Sequence, residues 1–256
     1  MKEGIIVVSH GTVNLEARQR TLDEFVLSIG DRFEDADITC AYTDSNVRKA
    51  LREITGEKIQ NVKAAMLSMK ERGITDLTVV TTDIIEDENH ISMREEVSSV
   101  AGLFTTVKIS KPLIASLSDA EVTARAVYGA FKDLVGGDTI ILVAEGAKND
   151  GVDELNSFEK AIKGLMTQSH VATLKGEKRL YKVIRDLKAA GNDGGRIVLV
   201  PLEFVAGEEI ENELSREYAG LVARLEEDGY NVETVFKGLG EYDEFQRLYL
   251  RHIYSA

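Results

Sequence analysis

Several residue types that mark specialised proteins are scarce in this chain. It has a single cysteine, Cys40, so no intrachain disulfide can form and nothing indicates an oxidising compartment. No apolar run approaches the ~18 residues that a membrane-spanning helix needs. The N-terminal segment MKEGIIVVSHGT has too short an apolar run for a signal peptide. We therefore expect a cytoplasmic protein that does not cross a membrane.

Basic residues are too few to balance the acidic ones. The 31 Lys and Arg face 44 Asp and Glu, which gives a formal net charge of −13. Because such a surface repels phosphate backbones and anionic lipids, we expect neither nucleic acid nor a membrane as partner. The chain also lacks GxGxxG, Walker A, CxxC and HExxH motifs, so a nucleotide-binding fold or a conventional zinc site is not indicated.

What the sequence does contain is an alternation of short apolar runs and longer helical patterns, and the series restarts midway. Residues 4–9 (GIIVVS) and 139–144 (TIILVA) are continuous apolar runs, typical of strands covered on both faces. Landmarks recur in the same order, with Ile140 lying 135 residues after Ile5 and Ile197 lying 120 after Leu77. Chance similarity between βα units is the alternative to an internal duplication.

We predict an α/β protein of two similar flavodoxin-like halves with a cleft between them. Each half should hold a mainly parallel sheet of four or five strands covered by helices. The predicted boundaries are 1–115 for the N-terminal half, 116–137 for a connecting helix and 138–256 for the C-terminal half.

Polar residues follow the first and third strands of each half, where ligands of open α/β sheets bind. Imidazole and carboxylate groups ligate divalent first-row metals and act as general bases. His90 ends an acidic loop, 86–90, before a predicted helix from residue 91. We predict catalytic roles for His10, His90 and Glu145, a metal site from His10, His90, Glu88, Glu145 and Glu209, and substrate binding by Gly11, Thr12, Gly146 and Gly207.

Longer segments carry a family resemblance. They are VVSHGT near the start, AYTDSNVRKALREITG from Ala41, DIIEDENH from Asp83, LVPLEFVAGEEIENELS from Leu199 and FKGLGEYDEFQRLYLRHI from Phe236. Over nearly the whole chain the sequence resembles the anaerobic (class II) cobalt chelatases, the sirohydrochlorin cobaltochelatases of cobalamin biosynthesis. The resemblance implies a lyase that inserts a divalent metal, Co²⁺ by resemblance, into an anionic sirohydrochlorin-like tetrapyrrole, with no tightly bound cofactor. It leaves the oligomeric state open, and a homo-oligomer is compatible with it.

The departures from this family lie in its metal site. The family typically has histidines where this chain has Glu145 and Glu209, and its cleft glutamate falls on Asn89. The short ancestral-type chelatases instead carry histidines at positions matching His10 and the neighbourhood of His90. In one interpretation the ligand types are exchanged between the two halves. In another the site has decayed, leaving a non-catalytic tetrapyrrole- or metal-binding protein. In a third, a chelatase acts on a different modified tetrapyrrole.

Overall fold

One sheet of four parallel strands forms the centre of each half. The computed structural model describes residues 2–144, 152–174, 180–191, 194–206, 222–223, 225–227 and 229–256. The N-terminal sheet contains β1 (Glu3–Ser9), β2 (Asp37–Tyr42), β3 (Asp76–Thr81) and β4 (Thr106–Ile109) in the order β2-β1-β3-β4. The C-terminal sheet contains β5 (Thr139–Ala144), β6 (Ser169–Thr173), β7 (Gly195–Pro201) and β8 (Tyr230–Thr234) in the order β6-β5-β7-β8. The prediction of two similar parallel α/β halves is confirmed.

Helices follow most strands, as the alternating pattern predicted. In the N-terminal half they are α1 (Leu15–Arg18), a π-helical turn (Gln19–Asp23), α2 (Glu24–Gly30), α3 (Ser45–Thr55), α4 (Val62–Glu71) and α5 (Glu88–Val100). Later helices are α6 (Leu117–Val135), α7 (Val152–Lys163), α8 (Leu180–Ala189) and α9 (Asp243–Tyr254). The sequence also predicts a helix at 214–228, a range that lies mostly outside the described residues. No helix in the described ranges is long and apolar enough to span a membrane.

The strand register repeats between the two sheets. Ile5 on β1 pairs with Thr78 on β3, while Ile140 on β5 pairs with Val198 on β7. The members of the second pair lie 135 and 120 residues after those of the first. These are the two offsets found in the sequence, so equivalent strands occupy equivalent places in the two sheets.

Alternate residues of the central strands supply different hydrophobic cores. Ile5 and Val7 of β1 pack into a large core that both halves share, whereas Ile6 and Val8 pack into a core on the outer face of the N-terminal sheet. Because both faces are covered, β1 is apolar at every position from Ile5 to Val8. Each buried aliphatic side chain of this size stabilises the fold by roughly 1.5–3 kcal/mol.

The last helix returns to the N-terminal half. On α9, the ring of Tyr249 packs against Phe25 at 6.1 Å between centroids, and Tyr254 packs against Phe33 at 5.3 Å. Conversely, α6 leaves the N-terminal sheet and packs against α7 of the C-terminal half. Each half is therefore covered in part by a helix that is adjacent in sequence to the other half. The predicted domain boundaries, which divide the chain in sequence order, do not describe this exchange.

Candidate functional site

His10 lies at the carboxyl end of β1, the strand between β2 and β3. Its Nε2 is 3.2 Å from Oδ2 of Asp44, which follows β2 and caps α3. The approach lies outside hydrogen-bond geometry. Neither ring nitrogen therefore has a hydrogen-bond partner among the described residues. The two nitrogens are shielded from solvent, and the 36% of the side chain that is exposed consists of its other atoms. Unsatisfied buried polar atoms cost roughly 1–3 kcal/mol each, so their presence at a strand end indicates a place for a ligand.

The turn after His10 depends on two residues predicted to bind substrate. Gly11 has a φ of +99°, and a Cβ there would lie 2.5 Å from Cδ2 of Tyr42. The Gly11 N–H donates to Oγ of Ser9. Thr12 is buried, and its hydroxyl oxygen accepts the N–H of Asn14 at 3.0 Å. Both residues thus shape the turn, and their contact with substrate stays a prediction.

His90 lies in the first turn of α5 rather than in the acidic loop to which the sequence assigned it. The helix begins at Glu88 because Asp87 caps it, accepting the backbone N–H of His90 at 2.9 Å. The ring is almost fully buried, with 2% of the residue exposed. Its Nδ1 lies 2.9 Å from Oδ2 of Asp83, the second residue after β3. A buried imidazole held by a carboxylate has a defined orientation, which suits a ligand or base.

The predicted five-residue metal site is described only in part. Glu88 is exposed at the first position of α5. Among the described residues, no three His, Cys, Asp or Glu side chains lie close enough together to hold a metal ion. Glu145, Gly146, Gly207 and Glu209 lie outside the described residues. The complete ligand set and the roles of those four residues stay predictions.

Two functional candidates escaped the sequence analysis. Asp44 follows β2, and the analysis considered only the ends of first and third strands. Asp44 lies three residues before Val47 and is a recognisable N-cap for the helix that follows. Because that helix follows β2, the N-cap signal could have placed Asp44 at the carboxyl end of the strand. Asp83 has no such signal, because only the folded chain brings it to His90. Cys40, by contrast, is not available as a thiolate, since burial raises its pKa to about 12.

A comparison with known proteins assigns the family. The family model described as "Cobalt chelatase (CbiK)" matches residues 3–256. The chain belongs to the cobalt chelatase family. The resemblance noted in the sequence, and the expected class of enzyme, a metal chelatase, are thereby confirmed.

Curated relatives and solved structures of chelatases agree with this family. The sirohydrochlorin cobaltochelatase of Salmonella typhimurium is 21% identical over 257 residues, covering 100% of this chain and 97% of that protein. CbiKC of Nitratidesulfovibrio vulgaris, also named a sirohydrochlorin cobaltochelatase, is 22% identical over 262 residues, covering 100% and 90%. SirB from Bacillus subtilis with Fe³⁺ superposes with a TM-score of 0.72 at 16% identity, covering 100% and 95%. CbiX, the terminal enzyme of siroheme biosynthesis in denitrifying bacteria, gives 0.59 at 12% identity, covering 99% of each chain. The structural likeness shows the chelatase fold.

Strand-end loops of this chelatase fold are anchored alike in both halves. After β7, the carbonyl oxygen of Glu203 accepts the N–H of Leu239 at 2.7 Å. After β3, the carbonyl oxygen of Asp83 accepts the N–H of Leu113 at 2.9 Å. Glu203 lies 120 residues after Asp83, so these two residues occupy equivalent backbone positions after the third strand of each half. The N-terminal edge and its C-terminal counterpart are thus built on one backbone plan.

Proposed function

We propose that this chain inserts Co²⁺ into sirohydrochlorin, as a step of the anaerobic route to cobalamin. Family membership supports metal insertion into a tetrapyrrole, and the names of both curated relatives support sirohydrochlorin and cobalt. The observation that carries the proposal is that neither ring nitrogen of His10, at the carboxyl edge of β1, has a hydrogen-bond partner among the described residues. That edge is where parallel α/β sheets bind ligands.

The chemistry needs groups that accept protons and hold a cation briefly. Insertion replaces two pyrrole protons by one divalent metal, which is a substrate here. The imidazole of His10 can accept a proton or ligate the metal, and the neighbouring Asp44 carboxylate attracts the ring once it is protonated. His90 offers a second ring nitrogen from the adjacent strand end. An acid–base group in such a role typically contributes about 10²–10⁴-fold to the rate.

Anaerobic mixing with sirohydrochlorin and Co²⁺, followed by the absorbance of the macrocycle, tests this directly. His10→Ala and His90→Ala should each slow insertion by about 100-fold or more. Macrocycle affinity should change much less, because it depends on the whole cleft. His170→Ala is the matched control, since His170 lies near the amino end of β6. Glu145→Gln should have an intermediate effect, because it keeps the shape and removes the charge.

The second candidate is a non-catalytic tetrapyrrole- or metal-binding protein. It is favoured by Glu145 and Glu209, which stand where the family typically has histidines. This candidate requires wild-type protein to bind the macrocycle but insert Co²⁺ no faster than buffer. Fast insertion that is indifferent to His10 and His90 would leave a chelatase whose histidines are not exchanged between halves. Faster insertion of Ni²⁺ or Fe²⁺ in parallel assays would refute the choice of cobalt.

A further inference from the structure

The carboxylate of Asp83 lies against one ring nitrogen of His90. Its Oδ2 is 2.9 Å from Nδ1 of His90, and no described residue hydrogen-bonds to Nε2. We propose that Asp83 is a positioning residue that keeps Nε2 of His90 unprotonated, so that this nitrogen can bind the metal or accept a pyrrole proton. This inference rests on the proposed function, because it assigns the nitrogen that the insertion reaction uses.

The hydrogen bonds around Asp83 favour a proton on Nδ1 of His90. The backbone N–H of Asp83 donates to Oγ1 of Thr81 at 3.1 Å, and the Thr81 hydroxyl donates to Oδ2 of Asp83 at 2.6 Å. An ionised carboxylate can only accept hydrogen bonds, so the ring nitrogen that faces the same oxygen must donate. A neutral imidazole has one N–H, and a proton on Nδ1 therefore leaves Nε2 with its lone pair.

Contacts from the other half hold the backbone that carries Asp83. The Tyr249 hydroxyl on α9 donates to the carbonyl oxygens of Thr82 at 2.9 Å and Asp83 at 3.2 Å. Burial, followed by the nearby charges of Asp83 and Glu203, raises the pKa of Tyr249 well above its ordinary value. The phenol therefore keeps its proton and remains a donor. These bonds hold the backbone from which the Asp83 side chain extends, while the Thr81 hydroxyl bonds its carboxylate directly.

His10 shows that this arrangement is specific to His90. The carboxylate beside His10 belongs to Asp44, and it approaches Nε2 at 3.2 Å outside hydrogen-bond geometry. The tautomer of His10 is thus not fixed by a described residue. Of the two histidines, His90 alone has a ring nitrogen prepared in advance by a hydrogen-bonded carboxylate among the described residues.

The test compares Asp83→Ala with Asp87→Ala. Each removes a carboxylate bonded to His90, but Asp83 holds the ring whereas Asp87 holds only the backbone N–H. Histidines labelled with ¹⁵N report the tautomer by NMR in the metal-free protein, and His90→Ala identifies the signal. We expect Nδ1–H in the wild type and in Asp87→Ala, and a shift towards Nε2–H in Asp83→Ala. The turnover of insertion by Asp83→Ala should fall by about 10- to 100-fold, with the KM for the macrocycle within about threefold.

Three results would overturn the inference. They are an Nε2–H signal in the wild type, an unchanged Nδ1–H signal in Asp83→Ala, and a loss of turnover no larger than that of Asp87→Ala. The wild-type spectrum is decisive even where Asp83→Ala does not fold. A wild type that inserts no metal would refute the proposed function instead. The role of Asp83 would then still be decided by the NMR tautomer and by a titration with Co²⁺. In that titration Asp83→Ala should bind Co²⁺ about tenfold more weakly than the wild type.

Discussion

A methyl group at position 11 should disrupt the turn that carries His10. Gly11 adopts a φ of +99°, a conformation that side chains rarely tolerate. A Cβ in that place would lie 2.5 Å from Cδ2 and 2.8 Å from Cγ of Tyr42. Cγ is the root of the ring, and Tyr42 is fully buried, so the ring has no room to swing away. In Gly11→Ala the backbone of the turn must move instead, and His10 moves with it.

The cost of this substitution has two parts. Holding alanine in a left-handed conformation costs about 1–2 kcal/mol. Forcing a methyl group into a packed site costs about 1–3 kcal/mol more. Gly56 separates the two parts, because it has a φ of +76° at the end of α3 and a Cβ there would have no neighbour within 4 Å. Gly56→Ala should therefore show only the first part.

Guanidinium unfolding and the insertion assay measure these effects. Gly11→Ala should lose about 1–3 kcal/mol more of the free energy of unfolding than Gly56→Ala. Its insertion rate per folded molecule should also fall, whereas that of Gly56→Ala should not. Equal destabilisation of the two variants would refute the packing argument. Equal insertion rates would show that the turn at Gly11 does not determine the position of a catalytic His10.

The remaining predictions concern the loops and helix that support the site. Gly238→Ala should cost about 1–3 kcal/mol, since its Cβ would lie 2.5 Å from the carbonyl oxygen of Phe204; a urea midpoint equal to that of wild type would contradict this. Tyr249→Phe should lose about 1–3 kcal/mol, because the Thr82 carbonyl loses a buried donor, and thermal unfolding would detect it. Burial lowers the pKa of His252 from 6.5, so the native state binds less proton than the unfolded state and loses stability as the pH falls below about 6.5. His252→Gln should remove up to ~1.4 kcal/mol per pH unit of that slope, measured by urea unfolding at pH 7.5 and 5.5.

Much of the fold could be predicted because parallel strands leave a direct trace in the sequence. A strand covered on both faces must be apolar throughout, as residues 4–9 and 139–144 are, and spacing between such runs gave the offsets of 135 and 120 that the register repeats. A connecting helix was predicted at 116–137, but the return of α9 to the N-terminal half could not be predicted. An amphipathic helix shows that one of its faces is buried but not which sheet covers it.

The residues of the candidate site likewise differ in whether the sequence alone could identify them. His10 was found because the end of an apolar strand is visible in sequence, and ligands bind at such ends. The helical position of His90 was missed, although Asp87 three residues earlier is a readable N-cap. Asp44, beside His10, follows a different strand, so their contact depends on strand order, which composition and periodicity do not give. Asp83 and His90 both follow β3, and their contact depends on the path of the loop between them.

The returning helix α9 also links the two edges of the fold. Tyr249 donates to the Thr82 carbonyl in the loop after β3, and Gln246, one turn earlier, donates to the Gly240 carbonyl in the loop after β8 at 2.7 Å. One rigid helix thus spans a loop of each half. The ion pair between Arg20 and Glu241, 2.9 Å long, adds a second link between the halves. A site built from both edges would need them held in a fixed alignment, and a single helix bonded to a loop of each half contributes to that alignment.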